Sequence, residues 1–218
     1  MKKELIKSLI VFLMFASGSI AAYFVFFPSK PLPILNARDL NPLLVDSSLI
    51  NSQEDHFIGD FNLMNQHGKK ITQNTFKNKI YVANFIFTTC PKMCPLLTSN
   101  LQTVYQNFLD DPEINFISHS VTPVEDSVPV LKAFAQRYDV FGDQWHFVTG
   151  EKKHIYDLAR KNYFAAVTAG DGGDHDFVHT ENFVLIDKQK RIRGIYDGSS
   201  FDEIDRLIAD ITKLKKDQ

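Results

Sequence analysis

The apolar residues of this chain change their period several times, and each change marks an element. Ser8 to Phe27 is an almost unbroken apolar run, and at about 1.5 Å per residue a helix over it crosses the roughly 30 Å hydrocarbon layer of a membrane. Residues 28–55 open with Pro28, Pro31 and Pro33 and hold no sustained period, which predicts a linker. From His56, "HFIGDFNLMNQHGKKIT" alternates apolar and polar positions around Gln66-His67-Gly68 and predicts a β-hairpin. "IYVANFIF", Ile80 to Phe87, is a continuous β-rich run of the kind buried on both faces of a sheet. Beyond Pro95, Leu96, Leu97, Leu101, Val104, Tyr105 and Phe108 follow helical spacing until Asp111-Pro112 stops it. "INFISHSV" then predicts a strand, "SVPVLKAFAQRY" a helix, "WHFVT" a short strand and "EKKHIYDLARKNYF" another helix. "NFVLIDKQKRIRGIYD" reads as a hairpin turning at Lys188-Gln189, and Phe201 to Lys215 as a closing amphipathic helix. This order predicts an α/β sandwich with a central mixed sheet and an additional N-terminal hairpin.

Charge adds an exclusion and the N-terminus adds a compartment. With 24 Lys and Arg against 26 Asp and Glu there is no basic excess to recruit nucleic acid. Lys2, Lys3 and Lys7 precede the apolar run, so the positive-inside tendency keeps the N-terminus in the cytoplasm and exports everything after Pro28. The run continues past the small residues Ala16 to Ala22 through Tyr23 to Phe27, beyond the ~7–15 residues of a signal-peptide core, so an uncleaved anchor is expected over a cleaved signal. The N-terminal region is neither Arg-rich nor Ser-rich, which argues against a mitochondrial transit peptide and for a bacterial cell envelope. The expected organisation is a cytoplasmic N-terminus and single transmembrane anchor over 1–27, a linker over 28–55 and a domain over 56–218 outside the cytoplasmic membrane.

Both cysteines of the chain fall in "FIFTTCPKMCPLL", Phe85 to Leu97. Cys90 and Cys94 sit at i and i+4 across a strand-to-helix junction, where unpaired N–H groups and the helix dipole favour negative charge, so both thiols are expected to ionise readily. A structural disulfide, a redox pair and a soft metal site all use such a pair; a bridge over so short a loop constrains the unfolded chain little. Thioredoxin-type redox sites use C-x-x-C and face a cis-proline just before a late strand. Here the spacing is C-x-x-x-C and no proline follows Pro129; "DHDFVHTENFVLID" instead brings His179 to the start of that strand.

The runs "GKKITQNTFKNKIYVANFIFTTCPKMCPLLTSNL" and "FVHTENFVLIDKQKRIRGIYDG" resemble the Sco/SenC family of copper metallochaperones, membrane-anchored thioredoxin-like proteins associated with cytochrome c oxidase assembly. The resemblance covers residue 56 to the C-terminus together with the anchor. It implies a thioredoxin-like fold and copper held by Cys90, Cys94 and His179. One segment departs from the family pattern S-x-D-P-x-x-D-T-P: this chain reads "SVTPVEDSVP", with Thr122 at the first acid, Asp126 matching the second and Ser127 in place of the threonine.

The donor chemistry agrees with that implication. Two thiolates and an imidazole suit Cu(I) and accept Cu(II), whereas structural zinc normally takes four protein ligands. Three ligands leave a position open for handing the ion on by ligand exchange. His175, in a Gly-rich loop between Asp174 and Asp176, reads as a solvated loop histidine with a fourth-ligand role as the alternative. Met93 carries a soft sulfur but reads as packing. His56, His67, His119, His146 and His154 read as structural. The resemblance implies a copper carrier that takes its ion from a donor protein and delivers it to the CuA site of cytochrome c oxidase subunit II. The rival is a thiol:disulfide oxidoreductase that reduces the cysteines of that site, with Cys90 attacking and Cys94 resolving; it has no need of His179.

Overall fold

The computed structural model describes residues 7–8, 10, 12–18, 30–42, 45–46, 48–49, 52–166, 170, 172–173 and 175–217. The chain forms two units, Met1–Pro31 and Leu32–Gln218. In the first, residues 12–18 are helical. Most of the stretch expected to be the anchor lies outside the described residues, and among the described residues no helix is long and apolar enough to cross a membrane.

The second unit is built on a seven-stranded sheet. Its strands are β1 (Asn62–Asn65), β2 (Lys70–Thr72), β3 (Ile80–Ile86), β4 (Ile114–Ser120), β5 (Trp145–Thr149), β6 (Asn182–Ile186) and β7 (Ile192–Asp197), in the order β2-β1-β5-β4-β3-β6-β7. β3, β4 and β5 run parallel, and the remaining pairs are antiparallel. The sheet is therefore mixed, as the element order predicts. The hairpin β1–β2 turns where expected, with Gly68 at φ +68, a conformation glycine adopts at no steric cost.

Helices α1 (Met93–Asn107) and α2 (Val128–Gln136) are the crossovers between successive parallel strands, so right-handed connection puts both on one face. There they meet the closing helix α4 (Phe201–Asp217), whose Ile204, Leu207, Ile211 and Leu214 are buried along one stripe. Leu97, Leu101 and Val104 of α1 complete that core with Ile80, Val82 and Phe116 of the central strands. The strand neighbours facing the other way, Tyr81, Ala83, Phe85 and Ile117, pack with Ile155, Tyr156 and Leu158 of α3 in a second core. Helix α3 begins as α-helix at Lys152–Asp157 and widens into a π-helical turn over Leu158–Asn162. Leu96 was expected on the apolar face of α1 and is instead 40% exposed.

The linker expected over residues 28–55 is not free from Leu32 onward. Leu35 donates its N–H to the Ile192 carbonyl at 2.9 Å, forming an antiparallel bridge to β7. The buried Arg193 guanidinium donates to the carbonyls of Pro33 and Leu32 and also to Asp187. Ala37 and Val45 are buried in the second core, and Asn36 accepts the His56 N–H at 2.8 Å. An extended proline-containing segment has no period to read, yet its carbonyls remain strong acceptors, and Arg193 collects them.

Candidate metal centre

The site lies beyond the carboxyl ends of the parallel strands, where the chain leaves β3 for α1 and β4 for α2. In open α/β sheets this end is where ligands bind. Strand β6 runs antiparallel to β3 with Ala83 opposite Val184, and continuing that register outward brings Thr180 opposite Phe87. His179 thus arrives at the end of β3 that delivers Cys90.

Helix α1 lacks a side-chain cap: Lys92 stands at the N-cap position and makes no capping hydrogen bond. Cys90 supplies the acceptor instead, its Sγ taking the Cys94 N–H at 3.3 Å. Partial burial works against the Cys90 thiolate, but the N–H groups of Cys94, Lys92 and Met93 outweigh it and hold the pKa below the ordinary thiol value. Cys94 behaves oppositely. It is 4% exposed, and burial pushes its pKa up to about 12. The expectation that both thiols ionise readily is met by Cys90 alone, because the first turn of α1 points Cys94 into the core with Leu97 and Leu101.

Both cysteines are free thiols. Cys94 and His179 border one small cavity with Met93, Phe85, Phe87 and Val121. Cys90 is tied to Cys94 by the bond from the Cys94 N–H to its sulfur. Among the described residues no three His, Cys, Asp or Glu stand close enough to hold an ion together. The fold therefore gathers two of the three candidates, Cys94 and His179, around one cavity, and Cys90 does not line it.

The loop carrying His179 is held on both sides. Val178 is buried, and the Thr180 hydroxyl donates to the Ala165 carbonyl. Asp176 accepts two hydrogen bonds from Arg160, at 2.7 and 2.6 Å, and a third from the Gly172 N–H at 2.7 Å. His175 is exposed in this loop. Met93 packs against the first core as well as on the cavity, in keeping with a packing role. His119 is fully buried, stacked on Phe85 at 4.9 Å, and burial drives its pKa down to about 3; His146, also buried, falls to about 4. These rings belong to the interior. Sequence reading missed the Arg160–Asp176 pair, whose members lie sixteen positions apart in a helix and a loop.

An SCO1/SenC family model matches residues 50–216. The chain belongs to the SCO1/SenC family. The SCO1 protein homolog of Bacillus subtilis (strain 168) is 30% identical over 153 residues, covering 69% of this chain and 79% of that protein. The solved structure of BsSco, described as a member of the Sco family of cytochrome c oxidase assembly proteins with a disulfide switch, superposes with TM-score 0.64 at 28% identity, covering 75% of this chain and 95% of that one. ScoI of Bradyrhizobium japonicum, solved with copper bound, shares the fold at TM-score 0.57 and 23% identity, over 72% of this chain and 99% of that one. The fold is the thioredoxin-like one of the Sco proteins.

Proposed function

We propose that this chain binds one copper ion through Cys90, Cys94 and His179 and delivers it to the CuA site of cytochrome c oxidase subunit II. The observation that supports the reading is that Cys94 and His179 line one cavity at the carboxyl end of β3, with the Cys90 sulfur bonded to the Cys94 N–H, in a member of the SCO1/SenC family. A soft donor set with three protein ligands favours copper over zinc and leaves a coordination position through which a partner can take the ion. Membrane tethering through Ser8 to Phe27, with the domain outside the bacterial cytoplasmic membrane, would place the carrier beside its target. A reporter active only outside the cytoplasm should work when fused after Gln218, and a new N-terminus between Ala16 and Tyr23 would overturn the anchor.

The thiol asymmetry supports a second reading, reduction of the target's cysteines. A partly exposed Cys90 with a lowered pKa is suited to attack a disulfide, and a buried Cys94 is suited to resolve the mixed disulfide that forms. His179 separates the two. Cells whose only copy carries His179→Ala should fail to assemble active oxidase at normal copper supply. Normal assembly in those cells would favour the reductase.

A further inference from the structure

Asp126 is fully buried at the turn between β4 and α2, and its carboxylate accepts four hydrogen bonds. Ser120 and Thr122 donate hydroxyls at 2.6 and 3.1 Å, and Thr88 donates both its N–H at 3.2 Å and its hydroxyl at 2.5 Å. All four donors are neutral. Burying a carboxylate among neutral donors is a costly way to hold a turn, since apolar side chains of similar volume pack there without a desolvation penalty. What the carboxylate does that an apolar group cannot is fix a direction. Ser120 ends β4 and Thr122 follows two residues later, whereas Thr88 belongs to the segment leaving β3, two residues before Cys90. Asp126 ties the Cys90 turn to the neighbouring strand.

We propose that Asp126 is a positioning residue of the copper site: acting through Thr88, it sets where the Cys90 sulfur stands relative to Cys94 and His179 without itself touching the ion. This rests on the copper reading above. Thr122 takes part directly. An acid at that position would set a second carboxylate against Asp126, whereas Thr122 gives it a donor.

The hydrogen-bond geometry separates direction from charge. In an Asp126→Asn variant, the amide nitrogen can take the place of the oxygen that faces the Thr88 hydroxyl. That hydroxyl then turns to accept, and the remaining oxygen still receives the Thr88 N–H and the two other hydroxyls. The direction of the tether is kept, while the second amide N–H and the Thr88 hydroxyl hydrogen lose their acceptor, a cost in stability. Asp126→Ala leaves all four donors unpaired, and Thr88→Val removes one donor near the surface without opening the core.

The test compares these three variants with the parent as full-length chains in detergent. It reads copper affinity, the Cu(II)–thiolate absorption band and, without metal, the rate of Cys90 alkylation at fixed pH. Asp126→Asn should stay much nearer the parent than Asp126→Ala in all three. Asp126→Ala should weaken copper by about 10–100-fold, the range for lost outer-shell partners of metal ligands, with a shifted band and an altered alkylation rate. Thr88→Val should move in the same direction by less. If Asp126→Asn is as damaged as Asp126→Ala, the charge and not the geometry matters, and the proposal fails. It fails equally if Thr88→Val and a folded Asp126→Ala both match the parent. Should Asp126→Ala not fold, Thr88→Val and Asp126→Asn decide. Should the parent bind no copper, the copper reading falls, and the metal-free alkylation rates decide the positioning role alone.

Discussion

Replacing Asp176 by Ala removes one side of a buried ion pair that anchors the loop three residues before His179. Arg160 and Asp176 have side chains only 6% and 7% exposed, and they meet through two charge-assisted hydrogen bonds. Breaking such a pair costs about 3–5 kcal/mol, because the buried Arg160 charge loses both of these hydrogen bonds. The Gly172 N–H also loses its acceptor, adding about 1 kcal/mol. Against a total of roughly 5–15 kcal/mol for a domain, this is a severe loss. Urea unfolding of the metal-free full-length chain measures it. The double variant Arg160→Met, Asp176→Leu should recover part of the loss, since an apolar pair of similar volume carries no buried charge. The pair also leaves a pH signature. The hydrogen bonds from Arg160 hold the Asp176 carboxyl below its ordinary value. Its contribution is therefore complete above the unfolded value of about 3.9 and disappears as pH falls through the lower folded value. Acid unfolding of the parent should steepen below about pH 4, and the double variant should lack that component. A loss under about 1 kcal/mol for Asp176→Ala would refute the reasoning, placing the pair among exposed bridges of little worth.

Iodoacetamide should modify Cys90 with an inflection below that of an ordinary thiol while leaving Cys94 untouched at neutral pH; equal rates at the two sulfurs would contradict the burial of Cys94. Leu207→Ala should lower stability by about 2–5 kcal/mol, because Leu207 is fully buried between α4 and the sheet; a loss under about 1 kcal/mol would mean that α4 is loosely docked. His179→Ala should leave the dithiol–disulfide potential of the metal-free chain nearly unchanged, as measured against glutathione, because that potential follows the two sulfurs and the α1 N-terminus.

The strands and helices were legible because their side chains alternate or repeat at helical spacing without interruption. β5 is observed at the residues of "WHFVT", and the β6–β7 hairpin turns at Lys188-Gln189 as read. The burial of Cys94 was also legible: Leu97, Leu101 and Val104 continue its stripe at i+3, i+7 and i+10, although the i, i+4 spacing of the cysteines drew attention to their likeness. The π-helical turn was overlooked, because Ile155, Leu158 and Ala159 keep an ordinary helical spacing up to it; Leu158 to Tyr163 and Ala159 to Phe164 then step by five, and the Tyr163 N–H bonds the Leu158 carbonyl. Residues 32–42 read as linker because their attachment runs through backbone carbonyls, which no side-chain pattern records. The Asp126 network draws on three segments, and only the matching family acid hinted at it.

The central claim is a copper site completed by an imidazole, and the most direct measurement is an anaerobic copper titration of the reduced full-length chain against a competing chelator, beside His179→Ala. The account predicts one tightly held copper per parent chain, not displaced by zinc, and an affinity lower by orders of magnitude without the His179 ring. Two coppers per chain, displacement by zinc, or equal affinity in the two proteins would contradict it.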